Sequence, residues 1–242
     1  MAFESWRAFY HSDLQSVWLL IAAPSLFLLY WAVSGRRRTG GALPSAAPFV
    51  QAYAVVFAVA ALLDPLATGP VARALGLADG AGGTAFLLFF VLLGDFRVFL
   101  LLFALPAMAA GRHWRAAVPC AAAWTLFVPV LAYAGDAVLH TLVPRLGASS
   151  IWLVYEVLFT SLALVLRARV GAWLAIPPDS RLCAYARELL AYVAIYYALW
   201  AAADVLIQLA GRDAGWLLRT VPNQLYYGFW VPFAFWRFFA RA

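Results

Sequence analysis

Residues 84–110 read TAFLLFFVLLGDFRVFLLLFALPAMAA, an apolar run that carries only two charges, Asp95 and Arg97. Crossing a bilayer takes about 20 apolar residues in a helix. This stretch exceeds that, so it predicts a membrane helix that is tilted or projects past the hydrocarbon. A charge at the bilayer centre costs roughly 2.5–3.5 kcal/mol. Two charges kept near the middle of such a helix therefore point to a bundle interior or a wet cavity.

Six further runs have the same character: Leu14–Val33, Pro48–Thr68, Ala116–Val143, Ser150–Arg167, Arg187–Gly211 and Trp216–Phe239. Together the seven predict an all-α integral membrane protein, a single seven-transmembrane-helix bundle over residues 1–242. Composition agrees. The chain is 66% hydrophobic and 12% charged, with mean hydropathy +0.86. Soluble domains stand near 45–50% apolar and about 25% charged. The segment Gly171–Ala186 reads as the longest connection, and the fifth run is short enough to extend through Ala172.

Arginine placement predicts the orientation. One set of loops holds Arg36, Arg37, Arg38, Arg112, Arg115, Arg167, Arg169, Arg181, Arg187, Arg237 and Arg241. The other holds Arg7, Arg73, Arg145, Arg212 and Arg219. Positive charge accumulates on the cytoplasmic side, so the N-terminus is expected outside and the C-terminus inside. The net charge of +6 is spread over these short loops and is no nucleic-acid footprint. Every basic residue is arginine; with the alanine-rich composition this suggests a GC-rich coding sequence and a bacterial inner membrane. Met1–Asp13 shows no basic stretch leading into a cleavable leader. Cys120 and Cys183 both fall near the cytoplasmic face, where a disulfide is not expected.

A rise of about 1.5 Å per residue converts position into depth. Asp64 comes at ~6 Å from the outer end, and Glu156, Asp136 and Asp204 at ~9–10 Å. Asn223 and Gln224 follow at ~10–12 Å, and Asp95 at ~16 Å with Arg97 just below. Polar groups of six helices thus share the outer half of the bundle. One outward-opening pocket explains that better than six unrelated features. Helical spacing adds walls: Asp136 with His140, Trp152 with Glu156 and Thr160, Tyr196 with Trp200, Asp204 and Gln208, and Arg219 with Asn223 and Tyr227. Asp95 and Arg97 are two apart and point to different sides, so Arg97 is expected to reach Glu156 or Asp204 on a neighbouring helix. Pro222 beside Asn223 leaves a backbone carbonyl without its helical partner, available to line a cavity.

The expected ligand-binding set is Asp64, Asp95, Arg97, Asp136, Glu156, Trp200, Asp204, Asn223, Gln224 and Tyr227. Five carboxylates against one intramembrane arginine favour a guest that is cationic or proton-coupled. Aromatic faces beside the acids suit a cation as well. The primary expectation is therefore a transporter-like or receptor-like protein for a small molecule or cation, among membrane lipids and with a membrane-protein partner as a further option. The alternative is a membrane-embedded enzyme acting on a lipid or isoprenoid through carboxylates, with a divalent cation such as Mg2+ bridging to phosphate. Zincin-type histidine pairs and phosphate-cradling glycine loops are both missing from the sequence. Retinal is excluded as a cofactor, because its Schiff base needs a lysine and the chain has none.

Overall fold

A computed structural model describes residues 4–77, 81–142 and 150–240. Arg145, Arg241 and the end of the expected fourth run at Val143 lie outside the described residues. Every regular element among those residues is helical. A short α1 (Trp6–Tyr10) leads into α2 (Leu14–Val33), α3 (Pro44–Ala74), α4 (Gly83–Ala109), α5 (Trp114–Thr141) and α6 (Ser150–Ala168). A short α7 (Val170–Leu174) precedes α8 (Arg181–Leu209) and α9, residues 214–239. Of these, α2, α3, α4, α5, α6 and α8 are each long and apolar enough to cross a membrane. The protein is a polytopic α-helical membrane protein.

Several boundaries differ from the sequence expectation. α6 stops at Ala168 instead of running through Ala172, because Arg169 leaves helical geometry before α7 begins. The expected loop Gly171–Ala186 is thus largely helix. α7 ends at Ala175, which adopts a left-handed backbone. α8 starts at Arg181, not Arg187, since the Ser180 hydroxyl accepts the Cys183 amide hydrogen bond and caps the first turn. α3 begins at Pro44 and reaches Ala74, its last turns widened into a π-helical stretch over Ala67–Val71.

The centre of the bundle is α4, α8 and α9. On α4, Val98, Phe99, Leu100, Leu101 and Leu102 are all buried in succession, so this half of the helix meets protein on every side. α8 contributes Tyr185, Leu189, Val193 and Tyr196, and α9 contributes Trp230, Phe235 and Phe238. α2 and α5 are peripheral: Leu26, Leu29, Val130 and Tyr133 stand exposed. Apolar surface on that scale is stable against lipid, not water. α2 meets α9 at Ala23 and Gly228, where a Cβ on residue 228 would press on Ala23 Cβ at 3.2 Å. Small residues let membrane helices approach this closely.

Wide π turns gather toward the end where the chain begins, here called the upper end. They occupy Leu14–Trp18, Ala67–Val71, Val205–Leu209 and Gln224–Phe229. Such turns interrupt the regular ladder and are frequent at functional sites. The one on α9 follows Pro222, whose missing N–H already loosens that ladder.

Candidate functional site

Two polar layers lie in the upper half, one above the other. The deeper one is built on Gly94-Asp95-Phe96-Arg97 of α4. Asp95 is fully buried, and its carboxylate accepts hydrogen bonds from the hydroxyls of Tyr155 on α6 and Tyr197 on α8. Arg97, 3% exposed, points to the other side of α4, as the two-residue spacing requires. Its Nη2 donates to the Tyr226 carbonyl at 2.5 Å, inside the π turn of α9. Its guanidinium lies 4.5 Å from the Tyr226 ring centroid and 5.9 Å from that of Trp230. Tyr53 of α3 donates to the Arg97 carbonyl at 3.0 Å and accepts from Trp230 Nε1 at 2.9 Å. The Tyr226 hydroxyl donates to the Val91 carbonyl and occupies the space that a Cβ on residue 94 would fill. Glycine at 94 is what admits Tyr226 to this layer.

The expectation that Arg97 reaches Glu156 or Asp204 is corrected. The cation between those two acids is Arg219, from the first turns of α9. Its Nη2 lies 3.6 Å from Glu156 Oε1, and its Nη1 contacts Asp204 Oδ1. Arg97 faces α9 and α3, away from α6 and α8. Among the described residues it makes no ion pair, and its Nε has no hydrogen-bond partner. The other Asp204 oxygen accepts from Gln208 Nε2 at 3.0 Å. Among the described residues, Glu156 Oε2 is buried and has no hydrogen-bond partner. Two carboxylates thus share one guanidinium, so the group is one positive charge short when both acids are ionised.

This upper layer opens on a cavity of about 260 Å³. Its walls are mostly aromatic: Tyr10, Trp152, Tyr155, Trp200, Tyr226 and Tyr227, with Glu156, Arg219 and Asn223 as the polar lining. Trp200 Nε1 donates to Asn223 Oδ1 at 2.8 Å. The Tyr10 hydroxyl accepts from Asn223 Nδ2 and from Arg219 Nε, both at 3.2 Å. Tyr10 is brought there by α1, whose first amides, Trp6 and Arg7, donate to the Asp213 carboxylate just before α9. The floor is made by Tyr155 and Tyr197, the residues that satisfy Asp95.

Tyr10, Asn223 and Tyr227 also form one wall of a second cavity of about 260 Å³ between α2 and α3. Asp64, Thr68, His11 and Gln15 line it, and Gln15 Nε2 is buried without a hydrogen-bond partner among the described residues. Asp64 further borders a slot of about 10 Å³ that ends at Arg97, Gly94 and Tyr226. Such a volume is close to one water. Asp64 is 7% exposed, a buried residue, not one at a wet interface.

The predicted set therefore divides. Glu156, Trp200, Asn223 and Tyr227 line the aromatic cavity, with Asp204 behind Arg219. Asp95 and Arg97 lie beneath it, and Asp64 faces the second cavity. Asp136 is elsewhere, on the seam of α5 and α6, where it accepts from Ser150 Oγ at 2.6 Å and lies 3.5 Å from His140 Nε2. Gln224 points the other way, into an apolar groove between α2 and α9. Tyr10, Gln15, Tyr155, Tyr197 and Tyr226 belong to these layers and were not expected. For three of them the one sequence signal was proximity to an expected residue: Tyr155 precedes Glu156, Tyr197 is one turn before Trp200, and Tyr226 precedes Tyr227. Among the described residues no group of three or more His, Cys, Asp or Glu side chains comes together to hold a metal ion. Comparison with protein-family models, curated proteins and solved structures finds no match to this chain.

Proposed function

We propose that the chain is a seven-span membrane protein, N-terminus exoplasmic and C-terminus cytoplasmic, that binds a small organic cation in the aromatic cavity. The seventh span in this reading is α9. Its sequence is less apolar than the other six because Arg219, Asn223 and Gln224 occupy its upper half, yet Trp230, Phe235 and Phe238 are buried in the core. The arginine asymmetry between the two sets of loops supports the orientation.

The observation that carries the binding assignment is the free, buried Oε2 of Glu156 in a wall of aromatic rings. A buried acceptor without a partner is costly. A carboxylate beside ring faces is a natural host for an ammonium group. The shortfall of one positive charge around Glu156, Asp204 and Arg219 matches a monocation. The cavity is below the roughly 300–1,000 Å³ of drug-sized sites, which favours a compact amine. Proton exchange at Glu156 is the accompanying step that would couple binding to pH. A transporter-like or receptor-like role fits such a site.

The test is calorimetric titration of the purified protein in micelles with a panel of small amines, including choline and benzylamine, against neutral isosteres. The reading expects saturable binding of at least one amine, no binding of its neutral isostere, and loss of binding in Glu156→Gln. Equal affinity for charged and neutral members would overturn it.

A further inference from the structure

The apolar groove between α2 and α9 ends in a built cationic site, and we infer that it holds one acyl chain of an anionic phospholipid whose phosphate sits at Arg36–Arg38. The groove encloses about 410 Å³. It runs from Leu19 and Gln224 at its upper end to Tyr30 and Trp236 at its lower end. Eleven residues of helix separate Leu19 from Tyr30, which gives a length of about 16 Å. That is half of a hydrocarbon core of about 30 Å, the depth of a single leaflet. The groove therefore has the length of one lipid tail rather than of a whole spanning helix.

Its lower end is where the charge lies. Arg38 Nε donates to the Tyr30 hydroxyl at 2.9 Å, and the guanidinium sits 5.1 Å from the Trp236 ring centroid. Tyr30 and Trp236 are themselves stacked and close the groove. The cation is thus fixed on the two rings that end the apolar channel. The turn that carries it is also fixed. Gln51 of α3 donates through Nε2 to the carbonyls of Gly35 and Arg38, at 2.9 and 3.1 Å. Gln51 Oε1 in turn accepts from Trp31 Nε1. Arg36 and Arg37 stand exposed on the same turn. None of the three arginines has an ion-pair partner among the described residues, and the Nη groups of Arg38 make no hydrogen bond there. A partner helix filling this groove would have to bring its own acids to match three arginines; a phospholipid carries the phosphate already. Basic clusters next to a membrane span attract anionic lipid by about 1 kcal/mol per residue.

The experiment is native mass spectrometry of the full chain, delipidated in detergent and titrated with phosphatidylglycerol or phosphatidylcholine of the same chain length. Phosphatidylglycerol is expected to be retained at least about fivefold more, the factor one arginine supplies. Arg38→Gln should remove most of that preference. Ala22→Trp, which fills the exposed upper part of the groove and leaves all arginines in place, should lower retention of phosphatidylglycerol by a similar factor. Ala22 is on the lipid-facing surface, so this variant keeps the test alive should Arg38→Gln fail to fold. Equal retention of the two lipids would overturn the inference. So would unchanged retention in Ala22→Trp, which would reduce the arginines to a general basic surface. Full displacement of the lipid by inorganic phosphate would do the same, by showing that the anion alone is recognised. The outcome is independent of amine binding at Glu156.

Discussion

Asp95 and Glu156 sit one layer apart in the same bundle, each nearly inaccessible, and their surroundings differ in one respect. Asp95 is closed in by two tyrosine hydroxyls, with a guanidinium on the opposite side of its helix. Among the described residues, Glu156 shares its one cation with Asp204 and keeps one oxygen unpartnered. Both Asp95 oxygens are satisfied, as buried polar groups normally are. Those of Glu156 are not, and Glu156 borders a cavity. On the proposed function, the first acid organises helices and the second receives a guest.

The difference can be broken from either side. Arg219→Gln should have the largest effect. It removes the one cation between two buried carboxylates, and breaking such a pair costs about 3–5 kcal/mol. Thermal denaturation in micelles checks this, and Glu156→Gln combined with Arg219→Gln should recover part of the loss. Tyr197→Phe removes one of the two hydrogen bonds to Asp95. A hydrogen bond to a charged acceptor contributes about 1.5–3 kcal/mol, so a stability loss of that size is expected, with amine affinity changed much less. Gly94→Ala should cost about 1–3 kcal/mol by overpacking, because Tyr226 must leave its place, and the Tyr226→Phe/Gly94→Ala pair should be less than additive. Tyr10→Phe should be milder, about 1 kcal/mol, and should increase solvent exchange between the two upper cavities.

The smallest expected effect is at the rim. His11 lies outside the spans, against the rings of Tyr10 and Trp216. Its pKa is lowered from the ordinary 6.5, first by burial and then by Arg7 and Arg219. The folded state therefore favours neutral imidazole. Its contribution is complete above pH 6.5 and is lost as the pH falls below that value, through the lowered folded value. A thermal midpoint that drops slightly on acidification, with a flatter profile in His11→Gln, is the expected result.

The vertical coordinate of this site was legible in the sequence and the rotational one was not. Helical rise groups Asp64, Asp136, Glu156, Asp204, Asn223 and Gln224 toward one end of their helices. Which way each points depends on rotation of about 100° per residue, and that is set by neighbours. Asp136 and Gln224 share the depth of Glu156 yet face the α5–α6 seam and the apolar groove between α2 and α9. On α9 the π turn over Gln224–Phe229 shifts the phase further, which helical spacing alone does not foresee. Six of the seven expected spans followed from apolar length, and the ends moved where a cap or break intervened, as at Ser180 and Arg169. The tyrosines around Asp95 were hidden because an aromatic residue in an apolar run reads as core. Arg219 was counted as a rim charge, since its depth on α9 does not reveal that two acids on other helices converge on it.

The most direct test is amine affinity in Glu156→Gln set against Asp95→Asn, both measured by calorimetry with the same ligand. The account predicts that Glu156→Gln weakens binding by more than about tenfold, the equivalent of 1.4 kcal/mol, while Asp95→Asn lowers stability and leaves affinity within a few-fold. The opposite pattern, with binding lost in Asp95→Asn and intact in Glu156→Gln, would contradict it.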